Sequence, residues 1–242
     1  MAKQVTPYND KNSSKKAQVT KMFDTISGEY DNLNRVISFG IDISWRKKVV
    51  ALAKRKNPQK ILDVATGTGD LAIALQETGA PEIVGLDISP NMLEVGKNKV
   101  MQKGLNKQIT MVVGDSENLV YEDAYFDVVT VAFGVRNFED LEKGLSEIHR
   151  VLKPGGSLLV LETSVPTKTP FKQGYRLYTS KILPLIGRIF SKDRTAYEYL
   201  SESAAVFPFG QAFNNILLKV GFTSSKDMPQ TLGVATIYEA IK

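Results

Sequence analysis

Four residues in the first half of the chain carry groups at a spacing that suits a bound nucleotide: Asp63, Gly67, Gly69 and Asp87. In ILDVATGTGDLA, Ile61 to Ala72, an apolar run ends at Asp63, a loop with two glycines follows, and Leu71, Ile73, Ala74 and Leu75 recur at helical spacing. A buried strand therefore turns sharply into a helix. Glycines let backbone approach a ligand with no Cβ in the way, and a helix start offers free N–H groups. Asp87 follows roughly 20 residues later, where a carboxylate can hold ribose hydroxyls.

Two cofactors fit such a turn. Gly67, Gly69 and Ala72 satisfy the relaxed dinucleotide fingerprint G-x-G-x-x-G/A. Asp63 favours the other: a carboxylate beside the loop repels a pyrophosphate but suits the ammonium and sulfonium of S-adenosylmethionine. The methyl donor is the better match, and a glycine turn that serves packing alone is the bland alternative.

The elements that position these residues follow from periodicity. EIVGLD is a strand ending at Asp87, Ser89 and Pro90 open a helix carrying Met92, Leu93 and Val95, and ITMVV is a strand ending before Asp115. Phe126 to Phe133 reads as a fourth strand, Leu141 to Leu152 as a helix, and Ser157 to Leu161 as a fifth strand after the turn KPGG. Continuous apolar strands imply a parallel sheet covered on both faces, an α/β fold. Ligands in such sheets sit outside the carboxyl ends of the strands, where Asp63, Asp87, Asp115 and Gly134 all fall. There Asp87 is expected to accept ribose hydroxyls and Asp115, before a short helix SENL, to take the adenine amino group, while Ile88 and Met92 face the ring. Met92 also fits the buried face of its helix.

A chain of 242 residues, 43% of them hydrophobic, supports one sizeable core. There are no cysteines, which excludes disulfides and thiolate metal sites, and no metal is expected. No signal peptide is evident and no apolar run approaches the roughly 18 residues of a spanning helix, so a cytoplasmic protein is expected. Residues 1–60 hold 13 Lys and Arg against 5 Asp and Glu, a balance of +8 within an overall +5. That asymmetry suits an anionic membrane face, nucleic acid, or simply a solvated basic arm. Residues 1 to about 18 are polar and expected to fray. From 19 to 57 the chain is an amphipathic helical cap: Val19, Met22, Phe23 and Ile26 share a face, Tyr30, Leu33, Val36 and Ile37 resume it, and Trp45, Val49 and Val50 follow on a helix whose other face is basic through Arg46, Lys47, Lys48, Lys54 and Arg55. Residues 58–164 form the nucleotide-binding core and 165–242 the remaining helices and strands of a single domain.

ILDVATGTGD, GLDISPNML, GDSENLVYEDAYFDVVT and RVLKPGGSLLVLETS together resemble a class I S-adenosylmethionine methyltransferase. FDTISGEYDNLNRVIS, VAFGVRNFEDLEKGLSEIHRVLKPGGSLLVLETS and LPLIGRIFSKDRTAYEYLSES narrow the resemblance to the ubiquinone/menaquinone biosynthesis C-methyltransferases. The resemblance implies a Rossmann-like, mostly parallel seven-stranded sheet with helices on both faces. It also implies donor contacts at Asp63, Gly67, Thr68, Gly69, Asp87, Asp115 and Ser116. Two positions depart from the family pattern: Asp42 stands where a His is usual, and Ala132 where many relatives have Ser.

The acceptor so implied is an isoprenoid quinol rather than nucleic acid, with demethylmenaquinol to menaquinol the expected conversion and a benzoquinol the open alternative. It lives in the bilayer, so peripheral association with the inner face of the membrane is expected, and the basic N-terminal helices acquire a purpose. A homodimer is compatible with the sequence. Arg136, in the loop after the fourth strand, is the leading acceptor-side residue, able to stabilise a phenolate or orient a water; Tyr30, Asp42 and Tyr197 are further candidates. The apolar stretch Phe171 to Phe190 is expected to wall a ring-and-tail channel, with Pro184 and Gly187 loosening its helix. The sole histidine, His149, lies away from the strand ends and reads as a packing residue. Methylation of another small molecule or of RNA is the alternative, although the aromatics sit in apolar helical stretches rather than on a basic groove.

Overall fold

The computed structural model describes residues 5–8, 10–179 and 194–242. Pro184, Gly187 and most of the expected channel wall up to Phe190 lie outside the described residues, as does the side chain of Tyr197. Three helices precede the sheet: α1 (Lys15–Ile26), α2 (Tyr30–Ser38) and α3 (Ile41–Lys54). β1 (Lys60–Val64), α4 (Asp70–Ala74), β2 (Glu82–Asp87), α5 (Pro90–Gln102), β3 (Ile109–Val113) and β4 (Phe126–Ala132) follow. Then come α6 (Leu141–Val151), β5 (Leu152–Thr163), α7 (Phe171–Leu177), α8 (Arg194–Val206), α9 (Gln211–Lys219), β6 (Ser224–Gln230) and β7 (Ala235–Ile241).

The strands form one seven-stranded sheet in the order β3-β2-β1-β4-β5-β7-β6. The first five are parallel and β7 runs antiparallel between β5 and β6. The expected mostly parallel, doubly covered sheet is therefore the observed one. Alternate residues of each strand serve opposite faces: Leu62, Val84, Val129 and Leu158 pack toward α6 and α9, while Ile61, Ile83, Val128 and Leu159 pack toward α3, α4 and α5. Because such strands are covered on both sides, they read as unbroken apolar runs. β1 lies between β2 and β4, so the strand order reverses beside it and a crevice opens at its carboxyl end.

The N-terminal segment departs from the reading of a frayed tail. Pro7 is buried, the Tyr8 N–H donates to Gln18 Oε1 at 3.0 Å, and α1 starts at Lys15 behind an N-cap at Ser14. Lys15 and Gln18 are drawn in because each satisfies backbone carbonyls, Lys15 those of Arg136 and Phe138 and Gln18 those of Asp10 and Ser13. The basic face of α3 is also narrower than its composition suggests, since Arg46 is buried against Asp42. SENL is a tight turn rather than a helix, closed by the Asn118 N–H on the Asp115 carbonyl at 3.0 Å. The Asp115 side chain accepts the Glu117 N–H, an arrangement that competes with helix formation. His149 packs edge-on against Phe222, far from the strand ends.

Candidate active site

A cavity opens where β1 to β4 end, lined by the loops after all four strands and by α1 and α2. β1 feeds it through Ala65 and Gly67, β2 through Asp87 and Ile88, and β3 through Gly114, Asp115, Ser116 and Glu117. Ala132, Phe133, Gly134 and Asn137 come from the end of β4, and Lys16, Val19, Phe23 and Tyr30 from the two helices above. Ala65 and Phe133, neither of them glycine, both hold positive φ (52° and 57°), so the turns after β1 and β4 carry backbone strain at the cavity rim. Those turns touch: a Cβ on Gly134 would sit 2.5 Å from that of Ala65.

Asp87 is buried and accepts two backbone bonds, from Gly67 N–H to Oδ2 at 2.7 Å and from Ser89 N–H to Oδ1 at 2.9 Å. Burial raises its pKa, and these bonds act against the rise. Gly67 has φ +57°, and a Cβ there would meet only Tyr30 Cε1, at 3.9 Å, so the space it leaves faces the cavity. Ile88 lines the same wall, and Met92 does so while packing against Val19 and Met22 of α1, so that both uses hold at once. Asp115 accepts Glu117 N–H on one oxygen and Lys16 Nζ on the other, at 2.9 and 2.7 Å, with Ser116 beside it.

Three expected donor residues stand behind the cavity rather than in it. Asp63 is 1% exposed and accepts the hydroxyls of Thr66 and Thr130, both at 2.6 Å, so its carboxylate ties the glycine loop to β4. Thr68 turns its hydroxyl away, to Asp31 of α2 at 2.6 Å, where Lys99 joins them. Gly69 is favoured by its backbone, at φ +79°, and a Cβ there would also displace the Met111 methyl, 2.2 Å away. Of the expected donor residues, Gly67, Asp87, Ile88, Met92, Asp115 and Ser116 line the cavity.

Desolvation raises the Asp63 pKa from 3.8 to about 6. The folded chain thus holds this proton more tightly than the unfolded one, so the contribution of Asp63 to stability is present below about pH 4 and is lost as pH rises toward 6. Asp63→Asn removes that loss. Urea melts should show the stability difference moving in favour of the variant by up to roughly 3 kcal/mol between pH 4 and pH 7. A difference independent of pH would show that Asp63 does not carry this burden.

The acceptor-side candidates also separate. Tyr30 lines the cavity, and burial raises its hydroxyl pKa. Asp42 is 2% exposed and committed to Arg35, Arg46 and the Ser38 hydroxyl, so its lone pairs are unavailable to an acceptor. It locks the α2–α3 corner instead. Arg136 is buried just behind the wall, paired with Glu162 at the end of β5, while its neighbour Asn137 lines the cavity and accepts from the Tyr199 hydroxyl at 3.1 Å. Ala132 presents a methyl to the cavity where a Ser would offer a hydroxyl.

Sequence reasoning missed Lys16, Glu117 and Glu139. Lys16 bridges Asp115 and Glu117, and Glu117 accepts the Glu139 N–H at 2.8 Å. Glu139 in turn accepts the Lys15 N–H at 2.9 Å. At the other end of α1, Asp24 accepts the Ser89 hydroxyl at 2.6 Å and the Asn91 N–H at 3.1 Å. α1 is thereby strapped across the cavity from β3 to β2. The lone signal for this was the density of lysines around position 15.

A doubly covered sheet of this order with an acid at the end of β2, another after β3 and an open glycine turn after β1 defines a class I S-adenosylmethionine-dependent methyltransferase. The model of the ubiE/COQ5 methyltransferase family matches residues 11–242, and the chain belongs to that family. It is 44% identical over 239 residues to the demethylmenaquinone methyltransferase of Bacteroides fragilis, covering 98% of this chain and 97% of that one. It is 44% identical over 232 residues to the ubiquinone/menaquinone biosynthesis C-methyltransferase UbiE of Geotalea daltonii, covering 95% and 98%. Among solved structures, a Thermotoga maritima S-adenosylmethionine-dependent methyltransferase, described as a possible histamine N-methyltransferase, shares the fold at TM-score 0.62 and 19% identity, covering 92% of this chain and 99% of that one.

Proposed function

We propose that this chain methylates a ring carbon of a demethylated isoprenoid quinol, converting demethylmenaquinol to menaquinol. The observation that carries the reading is near full-length similarity, at 44% identity, to demethylmenaquinone methyltransferases from Bacteroides fragilis and Thermus thermophilus. S-adenosylmethionine supplies an electrophilic methyl on a sulfonium. Asp87 takes the ribose hydroxyls, Asp115 and Ser116 the adenine edge, and Ile88 and Met92 its faces. Tyr30 and the wall from Ala132 to Asn137 then exclude water from the acceptor side. Holding the ring carbon about 3–3.5 Å from the methyl in such a closed site supplies much of the acceleration. Arg136 stabilises the negative charge that develops on the quinol oxygen.

The test is methylation by the purified chain of the demethylated naphthoquinol and of its benzoquinol counterpart, each with a short isoprenoid tail and a labelled donor. The labelled naphthoquinol is the expected product. Label in neither quinol would end the reading.

An acceptor of this kind brings the chain to a bilayer. Among the described residues no helix is long and apolar enough to cross one. Phe39, at 73% exposure, with Ile41 and Ile43 instead forms an apolar prominence at the α2–α3 corner, next to Tyr178 and followed by Lys47. Such a surface suits shallow insertion with electrostatic support from anionic lipid. Flotation with anionic vesicles should show binding that weakens with salt and drops when Phe39 and Ile43 are changed to Ser. Equal binding to neutral vesicles at all salt concentrations would remove the role of charge.

A further inference from the structure

We propose that Asp31 and Thr68 form a clasp that couples the two halves of the site, so that a donor seated on the glycine loop positions Tyr30 for the acceptor. This rests on the quinol reading above. Tyr30 and Asp31 open α2, and of the nine residues of that helix only Leu33 is buried. Its N-terminus has no side-chain cap. Polar contacts therefore carry much of its attachment, and two of them end on one short segment, residues 68–70. The Thr68 hydroxyl donates to Asp31 Oδ1 at 2.6 Å. One turn further along α2, Arg35 donates to Asp70 Oδ2 at 2.7 Å.

The far side of that segment is fixed by α5. A Cβ on Gly96 would lie 3.2 Å from the Thr68 carbonyl, so the loop rests directly on the helix there. One turn on, Lys99 reaches Asp31 Oδ2 at 2.8 Å, the Thr68 hydroxyl at 3.3 Å and the Asp70 carboxylate. The near side of the segment bears on the cavity. Gly67 donates its N–H to Asp87, and a Cβ on Gly67 would meet Tyr30 Cε1 at 3.9 Å. Four residues thus close a circuit. Gly67 leads to Thr68 along the chain, Thr68 to Asp31 by a hydrogen bond, Asp31 to Tyr30 along the chain, and Tyr30 back to Gly67 across the cavity wall.

A donor that fixes Gly67 therefore acts on Tyr30 by two routes, directly and through the clasp. The side chains of Asp31, Lys99 and Arg35 are 32%, 23% and 36% exposed. Ion pairs so placed hold weakly, which suits a contact that makes and breaks. The acceptor then meets a helix that the donor has already ordered, and binds more tightly because it no longer bears that cost. Asp31 and Thr68 are positioning residues in this scheme, and Tyr30 is the group that touches the acceptor.

Quinone affinity with and without S-adenosylhomocysteine reads the coupling. The sole tryptophan, Trp45, has its ring 6.2 Å from that of Phe133, which lines the cavity, so a short-tailed demethylated naphthoquinone should quench its fluorescence on binding. On wild type, saturating S-adenosylhomocysteine should tighten the quinone by at least about fivefold, the lower end for coupled sites. Asp31→Ala and Thr68→Val should each bring that ratio close to one, with quinone affinity in the absence of S-adenosylhomocysteine little changed. Thr68→Ser keeps the hydroxyl and should restore the ratio, and the Asp31→Ala, Thr68→Val double variant should lose no more than either single. A purely structural role would lower the melting point and leave the ratio intact, which would overturn the proposal. So would full coupling in Thr68→Val with weakened S-adenosylhomocysteine binding, since Thr68 would then be a direct donor contact. Wild type that binds the quinone equally with and without S-adenosylhomocysteine overturns the proposal and spares the quinol reading. Wild type that binds it in neither state overturns both.

Discussion

Asp87→Ala should weaken S-adenosylhomocysteine binding about a thousandfold by calorimetry. The carboxylate is buried, and its oxygens already hold the Gly67 and Ser89 N–H groups, so each retains one lone pair for a ribose hydroxyl. Alanine removes both acceptors and strands both N–H groups. Hydrogen bonds to a charged group are worth about 1.5–3 kcal/mol each, and two of them account for about three powers of ten. Gly67→Ala is the companion measurement. Its Cβ would clear the protein by 3.9 Å, so it should weaken donor binding while costing the fold only the strain of its φ of +57°. Gly69→Ala should cost more stability than Gly67→Ala, since to the strain of φ +79° it adds displacement of the Met111 methyl. Affinity within tenfold of wild type in Asp87→Ala would move the ribose contact elsewhere.

Arg136→Ala should combine two losses. Turnover should fall by about 10² to 10⁴, the range for losing one electrostatic or acid–base group, with donor affinity nearly unchanged because Arg136 does not line the donor cavity. Stability should also fall, since Glu162 is left charged and unpaired in a site with no exposure. Breaking such a pair costs about 3–5 kcal/mol, equivalent to a melting point lower by roughly 6–20 °C for a chain of this size. Arg136→Lys separates the two. An ammonium can face Glu162 and recover much of the stability, yet it lacks the planar fork and should recover little turnover. Asn137→Ala, which removes the acceptor of the Tyr199 hydroxyl and a long bond to the Phe133 carbonyl at 3.4 Å but no charge, should cost less than either. Normal turnover by Arg136→Ala would remove the phenolate-stabilising role.

The sheet was legible in the sequence because a strand buried on both faces is apolar along most of its length, as the interiors of β1, β2 and β4 are apart from Asp63, Asp127 and Thr130. The acids at its edge were legible for the same reason: a polar residue that ends an apolar run marks the carboxyl end of a strand. Which way those residues point was not. Asp63 is in register with Gly85, two residues short of Asp87 on the adjacent strand, so it lies beneath the loop against Thr66 and Thr130 while Asp87 reaches the cavity. The positive φ values at Ala65, Gly67 and Gly69 belong to the loop that covers Asp63. The side-chain partners of Thr68 and Asp42, Asp31 in one case and Arg35 and Arg46 in the other, were not legible because they become neighbours only through the docking of the cap helices. No local pattern encodes such pairings.

The strap formed by α1 bears on how the site is made. Lys15 and Lys16 find their partners about 100 to 124 positions further along, at Asp115, Glu117, Arg136, Phe138 and Glu139. During synthesis from the N-terminus these lysines emerge long before the groups that hold them. The roof of the cavity therefore cannot be laid until the fourth strand and the turn beyond it exist. Contacts so distant in sequence carry a large loop-closure entropy and form late. An incomplete chain thus has no finished pocket in which to sequester the methyl donor, and donor capture becomes a property of the completed sheet.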